Sequence, residues 1–295
     1  MKRLRIAIFG KLFNDENLNY LKQLIELIHQ QNGEILIHQS LKEMVFGKID
    51  DGCDIQYFSS HSELLGRVDY LFSLGGDGTM LDTITLVRDS GILIIGINLG
   101  RMGFLASIPK ENINHVFESL LEGKYKTDKR TLLRLENDKN NFGELNFALN
   151  ELSIHKLTNS SMITIHVWVN DLFLNAYWAD GLLISTPTGS TGYSLSCNGP
   201  IIGPDMQSFV ISPIASHNLT VRPIVIPDTS IIRIRVEGRD KQYFVGLDSR
   251  SALFDCTDEL IVRKESFNIS LLQEIDDNFF STIRKKLLWG RDIRN

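Results

Sequence analysis

Residues 74–81, LGGDGTML, set three glycines and one carboxylate, Asp77, between an apolar run (VDYLFSL, 68–74) and a run of helical periodicity (TMLDTITLVRD, 79–89). Gly75, Gly76 and Gly78 let a ligand approach the main chain closely, and the amides of a helix start, Thr79 included, favour phosphate. The turn therefore reads as a phosphate or ribose site. It matches neither common fingerprint: Gly76 to Leu81 lacks the third glycine of G-x-G-x-x-G, and no G-x-x-x-x-G-K-[ST] occurs. An Asp beside phosphates is repelled unless it binds a cation or has a proton to accept, as where a hydroxyl nucleophile is deprotonated for phosphoryl transfer. Taken alone, the stretch also reads as a tight turn with a helix-capping Asp.

A second constellation lies further on. Ser185 to Ser194, STPTGSTGYS, supplies hydroxyls, small side chains and one aromatic on a turn that a proline fixes, suited to a polar, flat ligand such as an adenine nucleotide. Without a ligand it is a Ser/Thr-rich surface loop, though such a loop rarely follows an apolar strand so densely. Asn150 can donate and accept, as an adenine edge requires, while Glu151 accepts only and suits ribose hydroxyls; the pair is equally an Asn-Glu step in a half-exposed strand. Asp180, between two strands, reads alone as a turn residue.

These residues need a frame. Up to about residue 123 apolar strands (4–9, 33–38, 68–74, 91–98) alternate with helical patterns (16–31, 79–89, 111–123), which means a parallel sheet with helical crossovers, Rossmann-like. In such a sheet ligands sit beyond the carboxyl ends of the strands, where the glycine turn falls. From residue 124 to 275 the rhythm is strand after strand with period-two alternation and turns such as Asn170-Asp171, which marks an antiparallel, all-β, sandwich-like second domain. Residues 276–295 open with a helical pattern and are expected to pack back on the first domain. Asp82, just inside the second helical run, is expected to be solvated.

Bulk properties narrow the partners. A chain of 295 residues suits about two domains, and 43% hydrophobic with 23% charged residues is an ordinary globular composition. The net charge of −5 argues against a nucleic-acid footprint. GILIIGI (91–97) is far short of the roughly 20 residues of a membrane span, and IAIFG is too short for a signal-peptide core. Cys53, Cys197 and Cys256 are unpatterned and suggest neither a disulfide framework nor zinc, so a reducing cytoplasm is expected. The seven histidines form no H-E-x-x-H spacing, and no protein-held metal is expected.

LGGDGTML resembles the signature of NAD kinases, of diacylglycerol and sphingosine lipid kinases and, more distantly, of 6-phosphofructokinases. ADGLLISTPTGSTGYSLSCNGPII (179–202) is similar over nearly its whole length to a segment of NAD kinases, LNELSIHK (149–156) resembles their N-E/D motif, and GINLGRMGFL (96–105) and SPIASHNLTVRPIVIP (212–227) look like further segments of that family. The resemblance runs in order through both domains. It implies a kinase that phosphorylates NAD to NADP, with Asp77 as the base on the adenosine 2′-hydroxyl. It further implies nucleotide contacts at Gly75, Gly76, Gly78, Thr79, Asn150, Glu151, Asp180, Thr188, Thr191, Gly192, Tyr193, Ser194, Leu195 and Ser196. ATP or another phosphoryl donor, a divalent cation such as Mg2+ arriving with it, and a homodimer or homotetramer are implied too. Gly192 stands where Ala is usual, Trp178 where some members carry Arg, and Arg250 where some carry Gln. The alternatives are a lipid kinase, which has no use for the N-E pair and the hydroxyl run, and a non-catalytic dinucleotide sensor, which could lose Asp77.

Overall fold

The computed structural model describes residues 3–11, 14–45, 54–100, 103–157 and 161–290. They form two units, one of residues 1–129 with 269–295 and one of 130–268. Cys53 and the Arg101-Met102 step of the quoted 96–105 segment lie outside the described residues, as do residues 291–295.

In the first unit five parallel strands stand in the spatial order Ile55–Phe58, Glu34–His38, Arg5–Gly10, Tyr70–Gly75, Leu93–Asn98. Ser270 and Leu271 add a parallel pairing on the far side of Leu93–Asn98. Chain order reverses between Arg5–Gly10 and Tyr70–Gly75, so the crevice beyond their carboxyl ends is the place where such a sheet accepts ligands. The strands are nearly continuous Ile, Leu and Phe because helices cover the sheet. Leu21, Leu24, Ile25 and Ile28 of the helix Asp15–Gln30 and Val116, Phe117 and Leu120 of Ile113–Glu122 fall three or four residues apart and bury one stripe each in the core with Ile6, Ile8, Phe72, Leu74, Ile95 and Ile97. Asn14 caps the first of these helices, accepting the Asn17 N–H at 2.8 Å. The strand Ile55–Phe58 has no counterpart in the sequence reading, being four residues of mixed polarity.

The second unit is antiparallel. Ile224–Pro227, Ser208–Ile214, Gly181–Ser185, Glu151–Lys156, Gln242–Leu247 and Arg250–Asp255 form one sheet in that order. Leu172–Ala179, Ile163–Val169, Ile232–Glu237 and the first part of Glu259–Gln273 form another. Leu152, Ile154, Leu182, Ile184, Phe209 and Val245 from one face meet Ile165, Val167, Ile234, Val236, Leu260 and Val262 from the other in a single core. Asn170 and Asp171 both take positive φ, +51° and +64°, in the two-residue hairpin turn their types suit.

The helix Phe279–Leu287 lies within the expected 276–290, and Lys286 sits over the Phe104 ring at 4.7 Å. Asp82 is not merely solvated: its Oδ2 pairs with Lys11 Nζ at 2.7 Å, a contact between segments 71 residues apart that local sequence could not reveal. Among the described residues no helix is long and apolar enough to cross a membrane.

Candidate active site

The glycine turn closes the strand Tyr70–Gly75 at the crevice. Gly76 takes the extended capping conformation (φ −119°, ψ −167°), so the helix runs Asp77–Val87, two residues earlier than its hydrophobic period suggests. Its opening amides, at Asp77, Gly78 and Thr79, precede the first intrahelical bond, which Met80 N–H donates to Gly76 O at 3.1 Å. The Ser73 and Thr83 hydroxyls meet at 2.7 Å and fasten the helix to the strand.

Asp77 is the first helical residue, and its side chain turns to the loop after Leu93–Asn98. Oδ2 accepts the Phe104 N–H at 2.8 Å; Oδ1 accepts those of Leu105 and Ala106, each at 3.0 Å. Gly103 makes this approach possible: a Cβ there would lie 1.6 Å from Asp77 Oδ1. Asn98 holds the loop's other end, donating to Ala106 O at 3.1 Å and accepting the Gly100 N–H at 2.8 Å. Asp77 is thus oriented by three amides, a feature the spacing of LGGDGTML does not disclose; Gly103 lies in the quoted 96–105 segment but gave no signal of this role.

In the second unit the loop Ser185–Ser196 folds over the start of Glu151–Lys156. Thr186 N–H donates to Asn150 O at 2.9 Å and its hydroxyl donates to Leu149 O. The 3-10 turn Thr188–Thr191 then passes so close that a Cβ at Gly189 would lie 2.1 Å from Asn150 O. Most of the hydroxyls serve the loop itself. Ser190 Oγ donates to Pro187 O and accepts the Ile202 N–H, Thr191 Oγ1 donates to Thr188 O, and Thr188 Oγ1 accepts from Arg130 at 3.2 Å. A methyl built on Gly192 would lie 3.3 Å from Glu151 Oε2 and 3.7 Å from Asn150 Nδ2, so the Asn-Glu pair faces this glycine. Tyr193 stacks on His155 with ring centroids 6.0 Å apart, and with Ser196, Cys197, Ile214, Ala215 and Arg222 it lines a cavity of about 850 Å³.

Asn150, Glu151, Thr188, Thr191, Gly192 and Tyr193–Ser196 are therefore one cluster. Asp180 adjoins Gly181, about 13 Å from Glu151 along the strand pair at roughly 3.3 Å per residue, since Glu151 is opposite Ser185 and His155 opposite Gly181; this is the end that Tyr193 reaches over His155, and the Asp180 charge acts on Tyr193. Its carboxylate pairs with Lys156 at 2.5 Å. Arg250 is a brace, its guanidinium donating to the Leu145 and Phe147 carbonyls, and Trp178 packs on His217 at 4.3 Å.

The electrostatics of Glu151 differ from the sequence reading. Its Oε2 is buried and meets no hydrogen-bond partner among the described residues. Burial, then the nearby Asp248 carboxylate, push Glu151 up to about 8 from 4.5. Burial thus favours the protonated form at neutral pH, which donates as well as accepts, whereas the residue type alone suggests an acceptor only. Asp248, itself raised by burial, was not foreseen as part of the cluster; in LDSR it looks like a turn residue.

Residues 6–125 match the ATP-NAD kinase N-terminal domain and residues 149–273 the ATP-NAD kinase C-terminal domain. The chain is 43% identical over 294 residues to the NAD kinase of Christiangramia forsetii, covering 99% of this chain and all of that one. It is 37% identical over 297 residues to that of Bacteroides fragilis strain NCTC 9343, with 99% and 100% covered. In fold it resembles a yeast NADH kinase crystallised with NADH (TM-score 0.88, 23% identity, 99% of this chain and 89% of that one). An Archaeoglobus fulgidus NAD kinase in complex with ATP has TM-score 0.73 and 23% identity, with 95% and 99% covered.

Proposed function

The chain belongs to the ATP-NAD kinase family, and from that premise we propose how its own residues carry out the transfer. It is an NAD kinase, a phosphotransferase with an alcohol acceptor. The γ-phosphoryl group of ATP leaves the β-phosphate oxygen and bonds to the 2′-oxygen of the adenosine ribose; NADP and ADP form, and the hydroxyl proton is lost. The observation that carries this reading is the buried carboxyl of Glu151 beside the Asn150 amide, both facing Gly192: a pair matched to nucleoside edges and without use to a lipid kinase.

Asp77 takes the hydroxyl proton. An ionised carboxylate offers about four lone-pair positions, and the three amides of residues 104–106 occupy three of them, two on Oδ1 and one on Oδ2. The remaining position on Oδ2 serves the hydroxyl, and the amides hold it in direction beforehand. The helix-start amides at Gly76, Gly78 and Thr79 attract phosphate, and Gly75 lets the Thr79 side chain pack on the strand end, since a Cβ there would lie 2.2 Å from Thr79 Oγ1. Asn150 and Glu151 read the nucleoside, Thr188, Thr191, Gly192 and Tyr193 to Ser196 complete its pocket, and Asp180, paired with Lys156, is a further NAD contact. The divalent cation is part of the substrate, carried by the triphosphate, and spreads the charge of the transferred group. Free thiols at Cys197 and Cys256 suit a reducing cytoplasm. Phe244 and Leu253, apolar, exposed and opposite each other on neighbouring strands, suit a homodimer or homotetramer.

Incubating the purified protein with NAD and Mg-ATP, and separately with diacylglycerol or a sphingoid base, tests the assignment. NADP forms and neither lipid is phosphorylated; lipid turnover without NADP overturns it.

A further inference from the structure

Asp248 occupies the two-residue turn between Gln242–Leu247 and Arg250–Asp255, nearly a hundred residues from the Asn-Glu pair, yet three successive amides converge on it. Oδ2 accepts the Leu149 N–H at 2.8 Å; Oδ1 accepts those of Asn150 at 2.8 Å and Glu151 at 3.1 Å. Asp248 N–H donates back to Glu151 O at 3.1 Å. Consecutive amides pointing into one concavity make an anion nest, and here the anion is a side chain of the same unit. The opposite edge of the peptide is tied as well, because Thr186 takes the carbonyls of Leu149 and Asn150. With both edges of the main chain engaged, the Asn150 and Glu151 side chains are the groups left to read a ligand.

We propose that Asp248 is a positioning residue for nucleotide recognition: it fixes the peptide carrying Asn150 and Glu151, and through them sets how tightly NAD is held. The inference rests on the reading of those two side chains as NAD contacts. A structural turn residue has no need of such an arrangement. Asp248 holds φ at +53°, a region that Asn and Asp tolerate better than most residues and that glycine enters freely, so the turn alone does not call for a charge. The carboxylate is buried at a cost that three N–H donors and the nearby Arg250 offset in part, Arg250 being itself anchored on the Leu145 and Phe147 carbonyls.

The charge has a second effect. Glu151 is faced by Asp248 from the turn, by Tyr193 and Cys197 from the loop, and by the neutral Asn150 amide beside it. Among these, Asp248 is the carboxylate whose charge opposes ionisation of Glu151. Removing its charge lets Glu151 ionise at lower pH, whereas disturbing only the turn does not.

The test compares Asp248→Asn, which keeps size and turn preference without charge, with Asp248→Glu, which keeps charge and displaces the nest. Both are expected to raise KM for NAD about tenfold or more while KM for ATP stays within about twofold, the loss of one or two charge-assisted hydrogen bonds being worth that much. The alkaline fall in NAD affinity moves to lower pH in Asp248→Asn and stays in place in Asp248→Glu. KM for NAD within twofold of the parent in both variants, or an alkaline midpoint unmoved by Asp248→Asn, overturns the proposal; so does failure of both variants to fold, since that assigns Asp248 to the fold itself. Glu151→Ala, run in parallel, separates the two layers: if it leaves NAD binding intact, the reading of the pair as NAD contacts is at fault, and if it alone weakens binding, only the Asp248 assignment falls.

Discussion

Glu151→Gln separates hydrogen bonding from charge at the centre of the nucleotide cluster. Burial holds the parent carboxyl up at about 8 against an ordinary 4.5, so at pH 7 roughly nine in ten folded molecules carry it neutral. Glutamine copies the shape of that form and also donates, so NAD affinity at pH 7 should stay within about threefold of the parent. Above pH 8 the neutral fraction of the parent falls about tenfold per unit, and between pH 7 and pH 9 its NAD affinity should drop roughly tenfold while the variant stays flat. Stability carries the same signature. Between pH 4.5 and about 8 the folded chain keeps a proton that the unfolded chain has released, so the contribution of Glu151 is fully present below 4.5, declines by about 1.4 kcal/mol per unit and levels off above 8. The resulting cost at pH 7 is on the order of 3 kcal/mol, and Glu151→Gln removes it, raising the urea midpoint. Calorimetric titration with NAD from pH 6.5 to 9.5, beside urea melts at the same values, reads both effects. A parent affinity independent of pH, with the variant tenfold weaker at pH 7, would show that Glu151 binds NAD as a carboxylate and not as an acid.

Three further outcomes follow from the same geometry. Glu151→Ala leaves ligand groups unpaired and should weaken NAD binding by about 1–3 kcal/mol; unchanged calorimetric affinity contradicts the assignment. Gly103→Ala drives a methyl onto Asp77 Oδ1, so the carboxylate must leave its nest and the three amide bonds are lost; kcat should fall at least about tenfold and the melting temperature should fall with it, and full activity would mean that the orientation of Asp77 is unimportant. Gly192→Ala brings a methyl to 3.2 Å from the Gly189 carbonyl and 3.3 Å from Glu151 Oε2, contacts that a shift of a few tenths of an ångström in the loop and the side chain relieves, so KM for NAD should change by no more than about threefold, and a larger rise would show the loop and the pair to be rigid.

Elements with a strong period were legible in the sequence: the alternation of strand and helix to residue 123, the glycine turn at a strand end, and the Asn170-Asp171 hairpin each rest on local rules that tertiary contacts did not override. What stayed hidden is what the fold brings together from a distance. The amides of residues 104–106 reach Asp77 across 27 to 29 positions and Asp248 reaches Leu149 across 99, and neither leaves a local pattern. The ion pairs of Asp82 with Lys11 and of Asp180 with Lys156 are of the same kind. Glu151 was found as a residue but not as an acid, because its protonation is set by burial. The hydroxyl-rich loop was legible as a site, whereas the bonds by which Ser190, Thr191 and Thr186 hold the loop itself depend on its folded path.

Turnover of Asp77→Asn, measured with NAD and Mg-ATP alongside its NAD affinity, decides whether Asp77 is the base for the ribose hydroxyl. Asparagine keeps the size and one accepting oxygen for the amides of the loop but cannot take up the ribose proton. kcat should fall about 10²–10⁴-fold while the variant folds and binds NAD within a few-fold of the parent. A variant that folds, binds NAD and turns over at nearly the parental rate would contradict it, leaving Asp77 only the work of holding residues 104–106 in place.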